Sequence, residues 1–168
     1  MNCLLKSRVV IWYNIGVFHM KQNKLPRGTF YMKQVEKLGK KNQIGAFGEE
    51  IAATFLKKKG FAILETNYLK KWGEIDIVAR GTNKISFIEV KTVSYETKSA
   101  LQAAVARGTW RPEENVNHSK LQKLNRAIES WNMENNYHGD WEIDVIAVRI
   151  VPRGKYATVK YLPNVVFG

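Results

Sequence analysis

Hydrophobic residues recur at helical spacing along the segment GAFGEEIAATFLKKKG, residues 45–60. Apolar side chains three and four positions apart share one face of an α-helix, which packs against the rest of the protein. That face consists of Phe47, Ile51, Ala52, Phe55 and Leu56. The lysines before Gly60, and Gly60 itself, are typical of a helix C-terminus. The pattern predicts a helix over 45–60, and the alternation over 61–69 predicts a strand after it.

Two further strands are predicted near 73–80 and 84–92, joined by a short turn at 81–83 that contains glycine and asparagine. A weaker helical pattern runs from 97 to 107 and ends at Gly108. The segment WRPEEN that follows is typical of a loop. The middle of the chain therefore predicts a hairpin followed by a short helix.

A second amphipathic helix is predicted over NHSKLQKLNRAIESWNME, residues 117–134, with Asn117 or Ser119 as its N-cap. Its apolar stripe is Leu121, Leu124, Ala127, Ile128 and Trp131. The segments WEIDVIAVRIV and KYATVKYL, at 141–151 and 155–162, predict the last two strands. The order is α-β-β-β-α-β-β, where the middle α stands for one or two helices. This mixed order indicates an α/β or α+β fold with helices packed on a sheet.

The charge balance adds the first information about partners. The chain has 168 residues, 45% hydrophobic and 25% charged, which suits one globular domain with its own core. Its formal net charge is +12. Such a basic balance favours polyanionic partners, either nucleic acid or an anionic membrane surface.

The N-terminal segment differs from the rest, because its first 31 residues contain five Lys or Arg and no Asp or Glu. Its apolar run, residues 9–18, is too short to span a membrane. Asn14 interrupts the run, and no small-residue cleavage site of a signal peptide follows. We predict a poorly ordered basic extension over 1–43, with Met20 and Met32 as alternative starts. The domain is predicted over 44–168, in a cytoplasmic protein without integral membrane association.

Metal chemistry is restricted by the residue types present. Cys3 is the only cysteine, which excludes an internal disulfide and a cysteine zinc site. The histidines, His19, His118 and His138, lack the spacing of metal ligands. A bound metal would therefore be held by carboxylate oxygens, which suit Mg²⁺ or Mn²⁺.

Charged residues interrupt both strands of the central hairpin. The first strand carries Glu74 and Asp76 in GEIDIVA, and the second carries Glu89 and Lys91 in FIEVKT. Side chains two apart on a strand share a face, so each strand is predicted to have one charged face and one apolar face. The apolar faces would hold Ile75, Ile77, Ala79, Ile88 and Val90. Antiparallel pairing would then bring Asp76 close to Glu89 and Lys91.

Carboxylates gathered at one point repel each other unless a cation neutralises them. Mg²⁺ is often held by one or two carboxylates together with a substrate phosphate. It lowers the pKa of a bound water and stabilises charge on the phosphate, and an adjacent lysine can assist. Asp76, Glu89 and Lys91 therefore provide the groups for metal-assisted phosphodiester hydrolysis. The alternative is a set of cross-strand ion pairs on a solvated sheet face.

Three further charged residues have two interpretations each. Glu49 lies at the edge of the first helix's apolar stripe, where it can reach the carboxylates or remain a peripheral surface residue. Lys120 lies within the stripe of the later helix, where it can contact a phosphate or extend its ammonium to solvent. Asp144, in WEIDVIAV, either supports the site or belongs to another surface.

These motifs together resemble the YraN-like proteins, small bacterial proteins of the restriction-endonuclease-like, PD-(D/E)xK superfamily. GEIDIVA and FIEVKT are similar to the family's core, and GAFGEEIAATFLKKKGFAILETNY is similar to its opening G-x-x-G-E-x-x-A helix and next strand. The helix around Lys120, WEIDVIAV and YLPNVVF follow in the expected order, so the resemblance spans roughly 44–168. The segment SYETKSALQAAVARGTWRPEEN, residues 94–115, is longer than the family's usual connection.

The resemblance implies a central mixed β-sheet flanked by helices and a nuclease site of the Mg²⁺ type. It implies that Asp76 and Glu89 bind the metal and that Lys91 is the catalytic lysine. Glu49 would be the helix glutamate that completes the site. Glu74 matches the acidic position of the GEID motif, and Lys120 matches the family's helix lysine.

The leading functional hypothesis is a metal-dependent nuclease that acts on DNA, structure-selectively or non-specifically. A homodimer is expected by analogy with related nucleases. Trp110, Arg111 and Trp131 are candidates for stacking or backbone contacts, and core packing explains Trp131 equally well. A non-catalytic nucleic-acid-binding module with the nuclease fold is the alternative. A third hypothesis is a basic protein of the ribosome or membrane surface, with its carboxylates merely paired across the sheet.

Overall fold

From Lys40 onward, helices and strands follow one another along the chain in the predicted order. The computed structural model describes residues 11–13, 40–108, 118–153 and 156–165. Within these residues the elements are β1 (Ile11–Tyr13), α1 (Lys40–Lys58), β2 (Ala62–Lys70), β3 (Gly73–Arg80), β4 (Ile85–Ser94), α2 (Lys98–Arg107), α3 (His118–Glu134), β5 (Trp141–Val151) and β6 (Tyr156–Leu162). Both helices are present where the sequence allowed one or two.

The strands form one mixed sheet, which confirms the α/β class. Across the described residues the strand order is β1-β6-β5-β4-β3-β2. Strands β4 and β5 pair in parallel over ten positions, whereas the other neighbouring pairs are antiparallel. Helices α2 and α3 form the connection that this parallel pair requires.

Helix α1 covers one face of the sheet. Its predicted stripe supplies buried side chains to a core cluster with β3, β4, β5 and β6; those from the helix are Ala52, Phe55 and Leu56. The helix begins at Lys40, five residues before the predicted start. It stops as predicted, because Gly60 adopts a left-handed conformation with φ of 87° and the Phe61 N–H returns to the carbonyl of Leu56.

Helix α3 covers the opposite face over β2 and β3. Its buried side chains, Leu124, Ala127, Ile128 and Trp131, meet an apolar set that includes Tyr68, Ile75 and Phe87. Trp131 is 3% exposed and packs edge-to-face on Phe87 at a centroid distance of 5.5 Å. Its role is core packing, and the alternative interpretation as a stacking contact is wrong. Trp110 and Arg111 lie outside the described residues.

Helix α2 has the ends that its sequence predicts. The Thr97 hydroxyl accepts a hydrogen bond from the Ala100 N–H at 3.1 Å, and Gly108 ends the helix with φ of 61°. Leu101 and Ala104 are buried, and the helix contacts β5. The segment between Ser94 and Gly108 therefore contains an anchored helix.

Strand β1 lies in the segment predicted as an extension. Ile11–Tyr13 pairs antiparallel with β6, opposite Val159–Tyr161. The hydrophobic pattern does not predict this strand, since an isolated apolar run gives no indication of a pairing partner. Across the described ranges, no helix combines the length and apolar character needed to cross a membrane.

Candidate functional site at the fork between two strands

Strands β3 and β4 separate in the middle of the sheet. They pair only from Ile77–Arg80 to Ile85–Ile88. Beyond this point β3 remains paired with β2, while β4 continues beside β5 as far as Ser94. The ladder therefore opens into a fork, with Asp76 just past the last pair on one strand and Glu89 just past it on the other.

Asp76 bridges the opening of the fork. Its Oδ2 accepts a hydrogen bond from the Val90 N–H at 2.6 Å, so the side chain takes over where the backbone ladder ends. Burial, together with the negative charges of Glu89 and Glu49, raises the pKa of Asp76 to about 8. A carboxylate in this position is stable in its charged form only with a cation beside it.

Glu89 lies opposite, on the face that α3 covers. It is 3% exposed, and its Oε1 accepts hydrogen bonds from Lys120 and, at 2.7 Å, from the Nζ of Lys91. Its Oε2 is buried and has no hydrogen-bond partner. Buried carboxylate oxygens are costly without a partner, so this atom marks a place where a cation or a donor would be stabilised.

Lys91 and Lys120 reach this carboxylate from different elements. Lys91 shares the Glu89 face of β4, as the period of two predicts, whereas Lys120 comes from the first turns of α3. Burial lowers the pKa of Lys120, but its hydrogen bond to Glu89 and the negative charges of Glu89 and Asp76 outweigh that effect, so the pKa is raised. Lys120 is thus directed into the site and does not simply extend to solvent.

Glu49 approaches from α1, on the third side of the fork. Burial raises the pKa of Glu49, a hydrogen bond from the Asn67 side chain lowers it, and the charges of Glu74 and Glu89 raise it further. Glu49 is therefore near enough to Glu74 and Glu89 for their charges to affect its pKa. Asn67 is a neighbour of the site that the hydrophobic pattern does not predict. In the structure it has a φ of 55°, which is unusual for a residue inside a strand.

Helix α1 comes close enough to place Glu49 because of the residue before it. Gly48 is buried against β4, where an added Cβ would lie 1.7 Å from the Thr92 hydroxyl oxygen. Only a glycine allows this approach without a shift of helix or strand. The G-E sequence thus combines the close contact with the carboxylate that benefits from it.

The strict alternation predicted for β3 fails at Asp76. Ile77 and Ala79 pack on the α1 side together with Ile88, as expected, and Val90 packs partly against them. Ile75, however, packs on the α3 side. The prediction that Ile75 shares the face of Ile77 is wrong, because β3 leaves the β4 ladder at this position and is no longer held to its pleat.

The residues at the fork fit a divalent cation in part. Within the described portion of the chain, no group of three or more His, Cys, Asp or Glu is already arranged to hold a metal. Two carboxylates with water and phosphate oxygens are nevertheless a sufficient set for Mg²⁺. The unpartnered Oε2 of Glu89 and the raised pKa of Asp76 both indicate missing positive charge. Asp76 and Glu89 are therefore the residues that would hold the ion.

Asp144 belongs to a different part of the molecule. It is fully buried, and it accepts hydrogen bonds from the Tyr161 hydroxyl at 2.7 Å and from the Asn164 N–H at 2.8 Å. Burial raises its pKa, and these two donors lower it. Because these two donors lie on and beyond β6, Asp144 has a structural role in joining the last two strands.

Comparison with known proteins gives one family. The sequence profile of "Uncharacterised protein family UPF0102" matches residues 48–148, which include the fork, α3 and most of β5. A UPF0102 protein of Thermotoga petrophila is 39% identical over 106 residues, which cover 63% of this chain and 84% of the relative. One of Alkaliphilus oremlandii is 37% identical over 114 residues, covering 66% and 88%. One of Campylobacter jejuni is 34% identical over 105 residues, covering 62% and 82%.

Proposed function

The chain belongs to the uncharacterised protein family UPF0102, and we propose that it is a metal-dependent nuclease that hydrolyses phosphodiester bonds in DNA. The family is the YraN-like group, which confirms that part of the resemblance. We further propose that the mixed sheet with helices on both faces is the restriction-endonuclease-like fold. The relatives' names assign no activity, so the argument depends on the site itself.

One observation supports this proposal above the others. At the fork, a buried carboxylate oxygen of Glu89 has no hydrogen-bond partner, and the other carboxyl group, that of Asp76, has a strongly raised pKa. Carboxylates merely paired across a solvated sheet would have neither property. A carboxyl group with a strongly perturbed pKa, in a site that also holds a lysine, is typical of catalytic centres.

The proposed reaction is attack of a water oxygen on phosphorus, with cleavage of the bond to the leaving sugar oxygen, which takes up a proton. When bound, Mg²⁺ or Mn²⁺ would lower the pKa of the attacking water and stabilise charge on the phosphate. Asp76 and Glu89 would hold the ion. Lys91, whose ammonium lies 2.7 Å from Glu89, would move to the phosphate oxygens or orient the water.

Glu49 and Lys120 would complete the site from the two helices. Glu49 would add a third carboxyl group near the fork. Glu74 lies close enough for its charge to raise the pKa of Glu49. Lys120 would exchange its contact with Glu89 for a substrate phosphate once the ion is bound. The basic surface would supply salt-dependent affinity for DNA. The proposal also includes a cytoplasmic location and, by analogy with related nucleases, a homodimer.

A second candidate function has its own supporting observation. Lys91 and Lys120 both bond to the same oxygen of Glu89, so the present arrangement already neutralises part of the site without a metal. A nucleic-acid-binding module that retains the nuclease fold could keep such ion pairs permanently. This alternative predicts salt-sensitive binding without cleavage.

Cleavage of linear, nicked and four-way-junction DNA with Mg²⁺ or Mn²⁺ tests the proposal, with wild type, Lys91→Ala and Lys57→Ala compared. Lys57 is exposed at the far end of α1 and serves as the matched control. We expect Lys91→Ala to lower the rate by about 10²–10³-fold, the usual effect of removing one group that stabilises transition-state charge. Lys57→Ala should cleave as wild type does.

The outcomes separate the two candidate functions. Equal cleavage by wild type and Lys91→Ala would assign the activity to a contaminant and refute the mechanism. Absence of cleavage, together with retained salt-sensitive binding, would favour the binding module.

A further inference from the structure

A cleft lies beside the fork, between the turn that joins β2 to β3 and the N-terminal half of α3. It encloses about 430 Å³, within the range of pockets that hold small ligands. Two of its lining residues, Glu74 and Lys120, are also neighbours of the fork. The cleft therefore lies next to the fork, and Lys120 is shared between the two.

The walls of this cleft are fixed against each other. The Trp72 Nε1–H donates to the Ser130 hydroxyl at 3.1 Å, and Lys70 pairs with Glu134 at 2.7 Å. Gly73 lies so close to α3 that an added Cβ would be 2.2 Å from the Lys123 carbonyl oxygen. Because these contacts join the turn to α3 at several points, the cleft is formed before any ligand enters it.

The lining has the chemistry of a nucleic-acid site. Its basic side chains are Lys70, Lys71, Lys120 and Lys123, and its acidic side chain is Glu74. Lys71 and Lys123 are exposed to solvent, and the Lys71 ammonium lies 5.4 Å from the centroid of the Trp72 ring. A base stacked near that ring and a phosphate near that ammonium can therefore belong to the same nucleotide.

We propose that this cleft binds a single-stranded segment of nucleic acid and leads its phosphates to the fork. The inference rests on the proposed function for its direction, since it assigns the substrate class of the same site. A cleft of this size accepts one strand, and a Trp ring can stack only on a base that is not already paired and stacked in a duplex. The preferred substrates are then overhangs, flaps, gaps or free single strands.

Binding measured without metal tests the lysines of the cleft. Fluorescence anisotropy of a labelled single-stranded oligonucleotide is recorded in EDTA at several salt concentrations. The double variant Lys71→Ala with Lys123→Ala is compared with Lys57→Ala with Arg80→Ala. Each pair removes two positive charges. Lys57 and Arg80, however, do not line the cleft and lie near the C-terminal ends of α1 and β3. We expect the first pair to make the slope of log K against log salt concentration shallower by about 1.4, the value for the loss of two phosphate contacts. The control pair should leave this slope unchanged.

The aromatic part is tested with Trp72→Ala and Ser130→Ala. Ser130→Ala removes the hydrogen bond between the indole and Ser130 but leaves the ring. Trp72→Ala removes the ring together with that hydrogen bond. We expect Trp72→Ala to weaken single-strand binding about tenfold and to leave blunt-duplex binding unchanged, since stacking of one base is lost. Ser130→Ala should bind both ligands as wild type does.

These outcomes can be distinguished from failure of the proposed nuclease activity. Binding in EDTA involves no cleavage, so an inactive protein that binds single strands through the cleft supports the inference and refutes only the activity. The inference is overturned if both charge pairs lower binding equally, or if Trp72→Ala weakens duplex and single-strand binding alike. It is also overturned if the protein binds no single-stranded nucleic acid at low salt.

Discussion

The environment of Asp76 is unfavourable for a negative charge. The side chain is desolvated and lies near the negative charges of Glu89 and Glu49. Its Oδ2 accepts a hydrogen bond from the Val90 N–H at the opening of the fork. An asparagine would satisfy the same hydrogen bond without the charge. That the chain carries an aspartate indicates a requirement other than stability, because functional sites commonly retain such unfavourable groups.

Asp76→Asn should therefore stabilise the metal-free protein at alkaline pH. The folded pKa of Asp76, about 8, lies above its usual value of 3.8. Stability contributed by the protonated form is present below the usual pKa and lost as pH rises through the folded pKa. Denaturant unfolding in EDTA should show the variant more stable by roughly a few kcal/mol at alkaline pH and equal to wild type at acidic pH.

A surface variant provides the comparison for that experiment. Glu129→Gln, on the exposed side of α3, removes one negative charge that is in contact with solvent. Its stability should follow the wild-type pH dependence. A parallel pH dependence in Asp76→Asn and wild type would contradict the assignment of unfavourable charge to Asp76.

Tyr161→Phe should destabilise the protein more at neutral than at acidic pH. The Tyr161 hydroxyl donates to Asp144, whose pKa is already raised by burial. Removing this donor raises the folded pKa further, so more stability is lost as pH rises from the usual aspartate pKa towards the folded one. The cost at neutral pH is about 1–3 kcal/mol, the usual penalty for an unsatisfied buried group.

Thermal unfolding at the two pH values measures this difference. Tyr137→Phe is the matched control, because the Tyr137 hydroxyl donates to a neutral carbonyl, that of Asp140. Its effect should not vary with pH. An equal cost of Tyr161→Phe at both pH values would show that the hydroxyl does not support the charged form of Asp144.

At the scale of elements, the site depends on how closely α1 lies on β4. Gly48→Ala should destabilise the protein by about 1–3 kcal/mol, although alanine favours helix, because the new methyl group would overlap Thr92. Gly45→Ala, in the same helix, meets nothing within 4 Å and should be neutral or stabilising. Equal melting temperatures for the two variants would contradict the close approach. DNA cleavage should fall only in Gly48→Ala, because Glu49 moves with the helix.

The elements themselves were largely predictable from the sequence. The periods of 3.6 and 2 located the helices and strands that form the sheet and its two covering layers. The same period placed Glu89 and Lys91 on one face of β4. The fork was not predictable, because the position at which β3 leaves β4 depends on the neighbouring strands. The periodic pattern consequently places Ile75 on the wrong side of the sheet, and it gives no signal for Asn67 or β1.

At the scale of the whole molecule, the fold brings together residues that are distant in sequence. Glu49 comes from α1, Asp76 and Glu89 from the two central strands, and Lys120 from the helix on the opposite face. The carboxylates at the fork form a small acidic centre in a chain whose formal net charge is +12. Phosphates would be attracted by the surface and then meet the carboxylates, which can accept them only together with a cation.

Cation binding by the metal-free protein tests this central claim most directly. Isothermal titration with Mn²⁺ at neutral pH, in two buffers of different ionisation enthalpy, measures stoichiometry and proton release together. One ion should bind per chain with release of a proton, because Asp76 is largely protonated before the ion arrives. Glu129→Gln should bind the same way, and Asp76→Asn should lose the binding. Absence of Mn²⁺ binding to wild type, or undiminished binding to Asp76→Asn, would contradict the account.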